Sequence, residues 1–164
     1  MMLAKVLQAV FYKTPSKLFS PIRKNVDRSA HSTARFFYYM AGVCQASLEI
    51  KSLLTTKPVV CDRYILTTVC YHKVIGVAID PTITTSCSSV LHPPDYTLLI
   101  TCEQKERIRR LNKRGLTVND SAEQNHGIEE KFLAEYLQHD VIEIDNSGND
   151  PNIAVKNILA ILKG

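Results

Sequence analysis

The stretch from Lys57 to Tyr71, Lys-Pro-Val-Val-Cys-Asp-Arg-Tyr-Ile-Leu-Thr-Thr-Val-Cys-Tyr, constrains the fold more than any other part of the chain. A proline followed by the apolar run Val59, Val60 and Cys61 suits a strand covered on both faces, the environment of a parallel sheet. The polar cluster Asp62, Arg63 and Tyr64 follows at once. In open α/β sheets ligands gather beyond the carboxyl ends of the strands. An Asp-Arg pair there can turn a fixed guanidinium fork toward an anion such as a phosphate. A plain strand-end ion pair is the other reading of the same residues.

Elements on either side alternate in kind. Met2 to Ala9 reads as the last turns of a helix and Ala9 to Lys13 as a short strand that stops at Thr14-Pro15, since proline cannot donate to a ladder. Ser16 to Ser32 is polar and basic and is broken by Pro21. Its Lys17, Arg23, Lys24 and Arg28 suit either an anion-facing loop or a solvated surface. From Ala34 to Leu54 the residues Phe37, Tyr38, Ala41, Cys44, Leu48 and Leu53 recur at helical spacing, and Thr55-Thr56-Lys57-Pro58 closes the helix. Tyr64 to Val77 continues as a helix, and Asp80 to Pro94, rich in Thr, Ser and Pro, reads as a loop or broken turns. Tyr96 to Thr101 is a second apolar strand. Glu103 to Arg114 is a basic helix ended by Gly115, with acids early and bases late as the helix dipole favours. Asn119 or Asp120, with Glu123, caps a helix running to about Gln138. Val141 to Ile144 is the last strand, and Asp150-Pro151 opens a final helix with Ile153, Ala154, Asn157, Ile158 and Ile161 on one face. Strands separated by helices imply a parallel sheet with right-handed crossovers.

Composition narrows the function classes. The 164 residues suit one domain, and 20 basic against 16 acidic residues give a net charge of +4, far from the footprint of a nucleic-acid binder. The five cysteines are scattered, with no C-x-x-C pair, and read as reduced, buried small hydrophobes of a cytoplasmic protein, not as a disulfide frame or a zinc site. His31, His72, His92, His126 and His139 share no metal-ligand spacing, so no metal site is expected from them. No apolar run approaches the roughly 20 residues of a membrane span.

The order of strand, Asp-Arg-Tyr, loop, Pro-Asp strand and arginine helix resembles the thymidylate kinase family of P-loop nucleoside monophosphate kinases from about Ala34 to Lys163. Asp62-Arg63-Tyr64 with Thr67 and Tyr71 is similar to its "DRY, small hydroxyl, aromatic" segment. Pro94-Asp95-Tyr96-Thr97 is similar to its "P-D-x-T" strand, Arg110 to Gly115 to its "R-x-x-x-R-G" approach to the lid, and Asp120 to Glu123 to its "D-x-x-E". The resemblance implies a three-layer α/β parallel sheet of the P-loop kinase type. It also implies ATP and Mg2+ as donor and cation, and a nucleoside monophosphate as acceptor. Arg63 would then hold the acceptor phosphate and Asp62 would lie near the transferred group and its magnesium. Tyr38 would stack on the base, and Tyr64, Thr67 and Tyr71 would line the same pocket. Arg110 and Arg114 would neutralise charge on the moving phosphoryl group. Tyr38 and Tyr71 serve as easily as core, and without the neighbouring Pro-Asp strand the arginines read as a solvated helix face. A homodimer is compatible with the resemblance, which adds no nucleic-acid or membrane partner.

Two departures from the family pattern shape the expectation. The phosphate cradle G-x-x-x-x-G-K-[ST] does not occur in the sequence. The chain is therefore expected to be N-terminally incomplete, its sheet to lack its first strand, and its activity to be weak or absent. Gly42 stands where the family usually places a base-recognising arginine, which leaves the accepted base open. Two function classes remain: an active-type kinase shown here as a shortened chain, and a non-catalytic nucleotide-binding or regulatory remnant of the fold.

Overall fold

The computed structural model describes residues 1–115, 127–148 and 150–163. They fall into two compact units, one from Leu3 to Pro93 and one from Pro94 onward. In the first, helix α1 (Met2–Val6) leads into strand β1 (Val10–Lys13). This strand lies parallel to β2 (Val59–Asp62), with Val10 opposite Val59 and Lys13 opposite Asp62. The Thr14 amide extends the ladder by one bond, donating to the Asp62 carbonyl at 3.2 Å, and Pro15 then ends it because it has no amide hydrogen.

Between the two strands the chain is more helical than its composition suggests. The basic segment expected as a loop holds a 3-10 turn (Lys17–Phe19) and helix α2 (Ser20–Ser29). Ser16 caps the turn by accepting from the Leu18 amide. Pro21 sits in the first turn of α2, where its missing donor costs nothing, and Arg23 pairs with Asp27 one turn on. Helix α3 (Ser32–Leu54) then crosses the unit.

The buried face of α3 is Phe36, Met40, Val43, Ala46, Ser47 and Ile50. It differs from the expected stripe, because Phe37 and Leu48 are about half exposed. Phe36 and Met40 form the centre of a core with Val77, against which Ile65, Ile75, Ile79 and Ile83 pack. Burial of Phe36, Met40 and Val77 is worth about 1.5–3 kcal/mol each in transfer free energy.

After β2 come α4 (Ile65–Val74) and α5 (Pro81–Cys87). The helix α5 replaces the expected loop or broken turns. Its N-cap Asp80 accepts from the Thr82 amide at 2.8 Å and Pro81 opens the first turn. The hydroxyls of Thr84, Thr85 and Ser86 return to carbonyls one turn back. Residues that disfavour a helix are thereby satisfied inside a short one.

In the second unit β3 (Leu98–Thr101) lies parallel to β4 (Ile142–Asp145), Leu98 opposite Ile142 and Thr101 opposite Asp145. Helix α6 (Gln104–Arg114) ends at Gly115, whose φ of 86° is a conformation that favours glycine. Helix α7 (Ile128–Tyr136) and helix α8 (Pro151–Ile161) complete the unit. Asp150 caps α8 by accepting from the Asn152 amide at 2.9 Å, as the sequence implies. Ala154 and Ile158 form the buried stripe of α8, whereas Ile153 and Asn157 are exposed. The expected cap at Asn119 or Asp120, its Glu123 and the lid segment from Leu116 lie outside the described residues.

The α/β class with parallel strands is as expected. Among the described residues the four strands pair two by two, β1 with β2 and β3 with β4.

Candidate functional site

Parallel pairing places the carboxyl ends of β1 and β2 at the same edge, so Lys13 and Asp62, the last residue of each strand, are direct neighbours. Their side chains pair at 3.6 Å, with Lys13 largely in solvent and Asp62 about half exposed. Such a separation leaves both groups able to engage a ligand, and the pair itself adds little to stability.

Arg63 follows with φ 68°, a left-handed conformation that a side chain rarely adopts. This turn aims the Arg63 carbonyl back at the strand ends, where it accepts from the Thr14 hydroxyl at 3.1 Å and lies 3.0 Å from the Cys61 thiol. Its side chain is exposed. Strain held in place by two neighbouring strands is characteristic of functional turns.

Tyr64 caps α4, and its hydroxyl donates to the His92 carbonyl at 3.1 Å; burial is the main cause that pushes its pKa up. Thr67 and Tyr71 are half-buried on α4. The Tyr71 ring stands edge-on to His72, with 5.1 Å between centroids. His72 is buried, its Nδ1 is 2.8 Å from the Thr68 carbonyl, and desolvation holds its pKa below the usual value.

The Tyr38 hydroxyl donates to the Phe19 carbonyl, and its ring meets Phe19 edge-on at 5.6 Å. Phe19 and Pro15 close over Gly42: a Cβ there would lie 2.8 Å from the Pro15 Cβ and 3.5 Å from the Phe19 ring. Position 42 therefore tolerates no side chain in this arrangement.

Beside the strand ends lies a cleft of about 750 Å³ whose polar lining includes Tyr12, Lys13, Ser16, Lys17, Arg23 and Glu49. Glu49 is its acidic hub. It accepts from the Tyr12 hydroxyl, from Ser16 at 2.7 Å and from Gln45 at 3.0 Å. The Tyr12 hydrogen bond is the main cause that holds the Glu49 carboxyl below its usual range, and burial is the main cause that pushes Tyr12 up. Arg23 is shared with Tyr39 at 3.3 Å and Asp27 at 3.6 Å. Of the basic residues expected to face an anion, Lys17 and Arg23 line this cleft, while Arg28 is exposed and bonds Asn25.

Arg110 and Arg114 belong to the second unit. Arg110 donates through Nε to Glu106 at 2.6 Å and through Nη2 to the carbonyls of Asn146 and Gly148 at 2.8 and 2.9 Å. It ties α6 to the turn after β4. The Arg109 guanidinium, with Arg110 beside it, holds Glu106 down at about 2. Arg107 pairs with Glu129 of α7. Arg114 is exposed near the helix end.

Three residues of this geometry were not singled out from the sequence. Lys13 and Thr14 become significant only once β1 is paired with β2. Glu49 lies on a helix rich in apolar residues, where a lone acid could have been noticed.

The edge just described sits on a known fold. Thymidylate kinase from Candida albicans superposes with a TM-score of 0.72 at 20% identity, covering 99% of this chain and 83% of that one. Thymidylate kinase from Ehrlichia chaffeensis gives 0.62 at 18%, covering 99% and 86%. Deoxyadenosine kinase from M. mycoides, solved with dCMP and a flexible dCDP bound, gives 0.61 at 17%, covering 99% and 90%. The fold is thus that of the P-loop nucleotide kinases. Residues 2–158 match the profile of the thymidylate kinase family, and the chain belongs to that family. No match is found among curated proteins.

ATP and Mg2+ go with this family, and the residues present suit the two unequally. Magnesium asks for one or two carboxylates beside phosphate oxygens, and the half-exposed Asp62, held only loosely by Lys13, fits that demand. A donor triphosphate asks for a glycine-rich loop and its lysine, which the sequence does not contain. The residues present do not fit it.

Proposed function

We propose that this chain is a nucleoside monophosphate-binding domain of the kinase type, acting on cytoplasmic nucleotides, with weak or no phosphoryl transfer from ATP as this polypeptide. The observation that supports the reading is the strained turn at Arg63, an exposed arginine that directly follows the shared carboxyl edge of two parallel strands. There Arg63 takes the acceptor phosphate in bidentate fashion, and Lys13 adds a second positive charge. Asp62 would hold the magnesium, which when bound would neutralise charge on the phosphates. Tyr64 at the start of α4 and Thr67 and Tyr71 on it line the nucleoside side, while Pro15 and Phe19 close over Gly42 and Tyr38 stands edge-on to Phe19.

Binding without efficient transfer is favoured by the missing donor cradle. Phosphoryl transfer depends on holding donor and acceptor in line, and orientation supplies roughly 7–11 kcal/mol of barrier reduction. Arg110 is already engaged by Glu106 and two carbonyls, and by this proposal it orders α6 and helps any transfer by placing Arg114.

Calorimetry with a panel of ribo- and deoxynucleoside monophosphates tests the first half. At least one should bind, with affinity lost on Arg63→Ala; no binding by any member overturns the reading. A coupled assay with ATP and magnesium tests the second half. Turnover in the usual kinase range of about 1–100 s⁻¹ would show that the donor site has been misread.

A further inference from the structure

Cys44 and Cys87 are far apart in sequence, yet the fold sets them on one face of α3. Phe36, Met40 and Cys44 follow one another at four-residue steps and so share that face. Cys87, the last residue of α5, packs on the core that Phe36 and Met40 form. Beyond it the chain keeps to the same helix: Ser47 donates to the Val90 carbonyl at 2.9 Å and accepts from the His92 amide at 2.7 Å. The segment from Cys87 to His92 thus runs from the core that includes Phe36 and Met40 to the level of Ser47 on α3, and the Cys44 and Cys87 side chains meet in a hydrogen bond on that stretch. Burial pushes the Cys44 thiol up to about 11, and side-chain hydrogen bonding to Cys87 adds to the rise. Both cysteines are free and half-buried.

We propose that Cys44 and Cys87 are a redox pair, a modification site at which a hydroperoxide converts two thiols into a disulfide that fastens the end of α5 to α3. The Cys87 sulfur attacks the peroxide oxygen, the O–O bond breaks, and a sulfenic acid and one water result when the oxidant is hydrogen peroxide. Cys44 then attacks the sulfenic sulfur, an S–S bond forms, and a second water leaves. Two thiols lose two electrons and two protons, and the peroxide takes up both. A small dithiol reverses the step by exchange. Because Cys44 is held as the thiol, the resolving step speeds up as pH rises. The cross-link also restrains the segment ending at His92, whose carbonyl receives the Tyr64 hydroxyl. The oxidation state of the pair therefore reaches the Asp-Arg-Tyr turn.

The test uses the reduced full chain, treated with hydrogen peroxide at alkaline pH, quenched by alkylation, and followed by intact mass and peptide mapping. The expected product has lost two hydrogens, carries a Cys44–Cys87 linked peptide, keeps Cys61, Cys70 and Cys102 alkylatable, and returns to the starting mass with dithiothreitol. Its Tm is shifted upward, and Cys44→Ser and Cys87→Ser each abolish both the linked peptide and the shift. A disulfide to another cysteine, a linkage between chains, or irreversible oxidation of Cys44 and Cys87 without linkage would overturn the proposal. The peptide map needs neither variant, and it reads the same whether or not the chain binds nucleotides.

Discussion

Lys13 and Asp62 are register partners on two parallel strands, and their side chains pair at 3.6 Å at the edge where both strands end. Because Lys13 is largely solvated and Asp62 about half exposed, the pair is expected to contribute no more than about 1 kcal/mol to stability. Asp62→Asn should therefore leave the urea midpoint nearly unchanged while weakening magnesium-dependent monophosphate binding several-fold. Urea titration beside calorimetry with and without magnesium separates the two effects. A large loss of stability with unchanged binding would make Asp62 a structural residue.

Arg63 separates backbone strain from side-chain chemistry. At φ 68° a non-glycine residue costs about 1 kcal/mol or more, which Arg63→Gly relieves, while added freedom of the unfolded chain takes part of the gain back. The melting temperature should stay level or rise slightly as monophosphate affinity falls. Arg63→Lys keeps the charge and the strain but loses the fork. A charge-assisted hydrogen bond is worth about 1.5–3 kcal/mol, so affinity should drop roughly tenfold or more. Equal calorimetric affinity for Arg63→Lys and the parent would remove Arg63 from the acceptor site.

Gly42→Ala sets helix propensity against overlap. Alanine gains about 1 kcal/mol in a helix interior, but its Cβ would stand 2.8 Å from the Pro15 Cβ, and overpacking costs about 1–3 kcal/mol. A lowered denaturation midpoint is expected. A raised midpoint would mean that Pro15 and Phe19 move aside easily.

Acid should weaken the fold in two separate windows. Desolvation lowers the folded-state pKa of His72 from 6.5, so the unfolded chain takes the proton first and stability falls as pH drops from about that value toward the folded pKa. Glu49 is lowered from 4.5, chiefly by the Tyr12 hydrogen bond. Its contribution is complete above 4.5 and is lost as pH falls through the lower folded value. His72→Phe should flatten the first window alone and Glu49→Gln the second alone, read as urea midpoints across pH 3 to 8. An unchanged slope in either variant would show that its group does not carry that window.

The parts legible in the sequence are those where local chemistry and fold agree. Val59 to Cys61 pairs as a parallel strand because its apolar run has no competing use, and Asp150-Pro151 and Gly115 cap the helices their residue types favour. The α3 face is not legible from local pattern because that helix is apolar nearly all round. The stripe through Phe36, Met40, Val43 and Ser47 competes with the one through Phe37, Tyr38 and Leu48, and only packing against Val77 selects the first. Helix α5 was hidden because Thr and Ser suit turns as well as helices, and the decision lay with Asp80 and the back-bonded hydroxyls. At the candidate site the Asp-Arg-Tyr turn was visible as a motif. Its strain, Lys13 and the Glu49 network arise from strand pairing and helix packing, which no local pattern encodes.

Arg110 ties α6 to the turn that follows β4. Its Nη2 serves the carbonyls of Asn146 and Gly148 and its Nε serves Glu106, so the fork bridges a helix and a loop that are distant in sequence. Lysine has the charge but cannot span three acceptors in one plane. Arg110→Lys should therefore cost about 1–2 kcal/mol, the loss expected when charge-assisted hydrogen bonds at a partly exposed site go unmade. Hydrogen exchange should quicken at the amides around Asn146 while the β1–β2 pair stays protected. Arg114→Lys, at the exposed end of the same helix, should leave exchange and stability close to the parent. If Arg110→Lys leaves both readouts unchanged, the bridge is dispensable and Arg110 is available for a ligand.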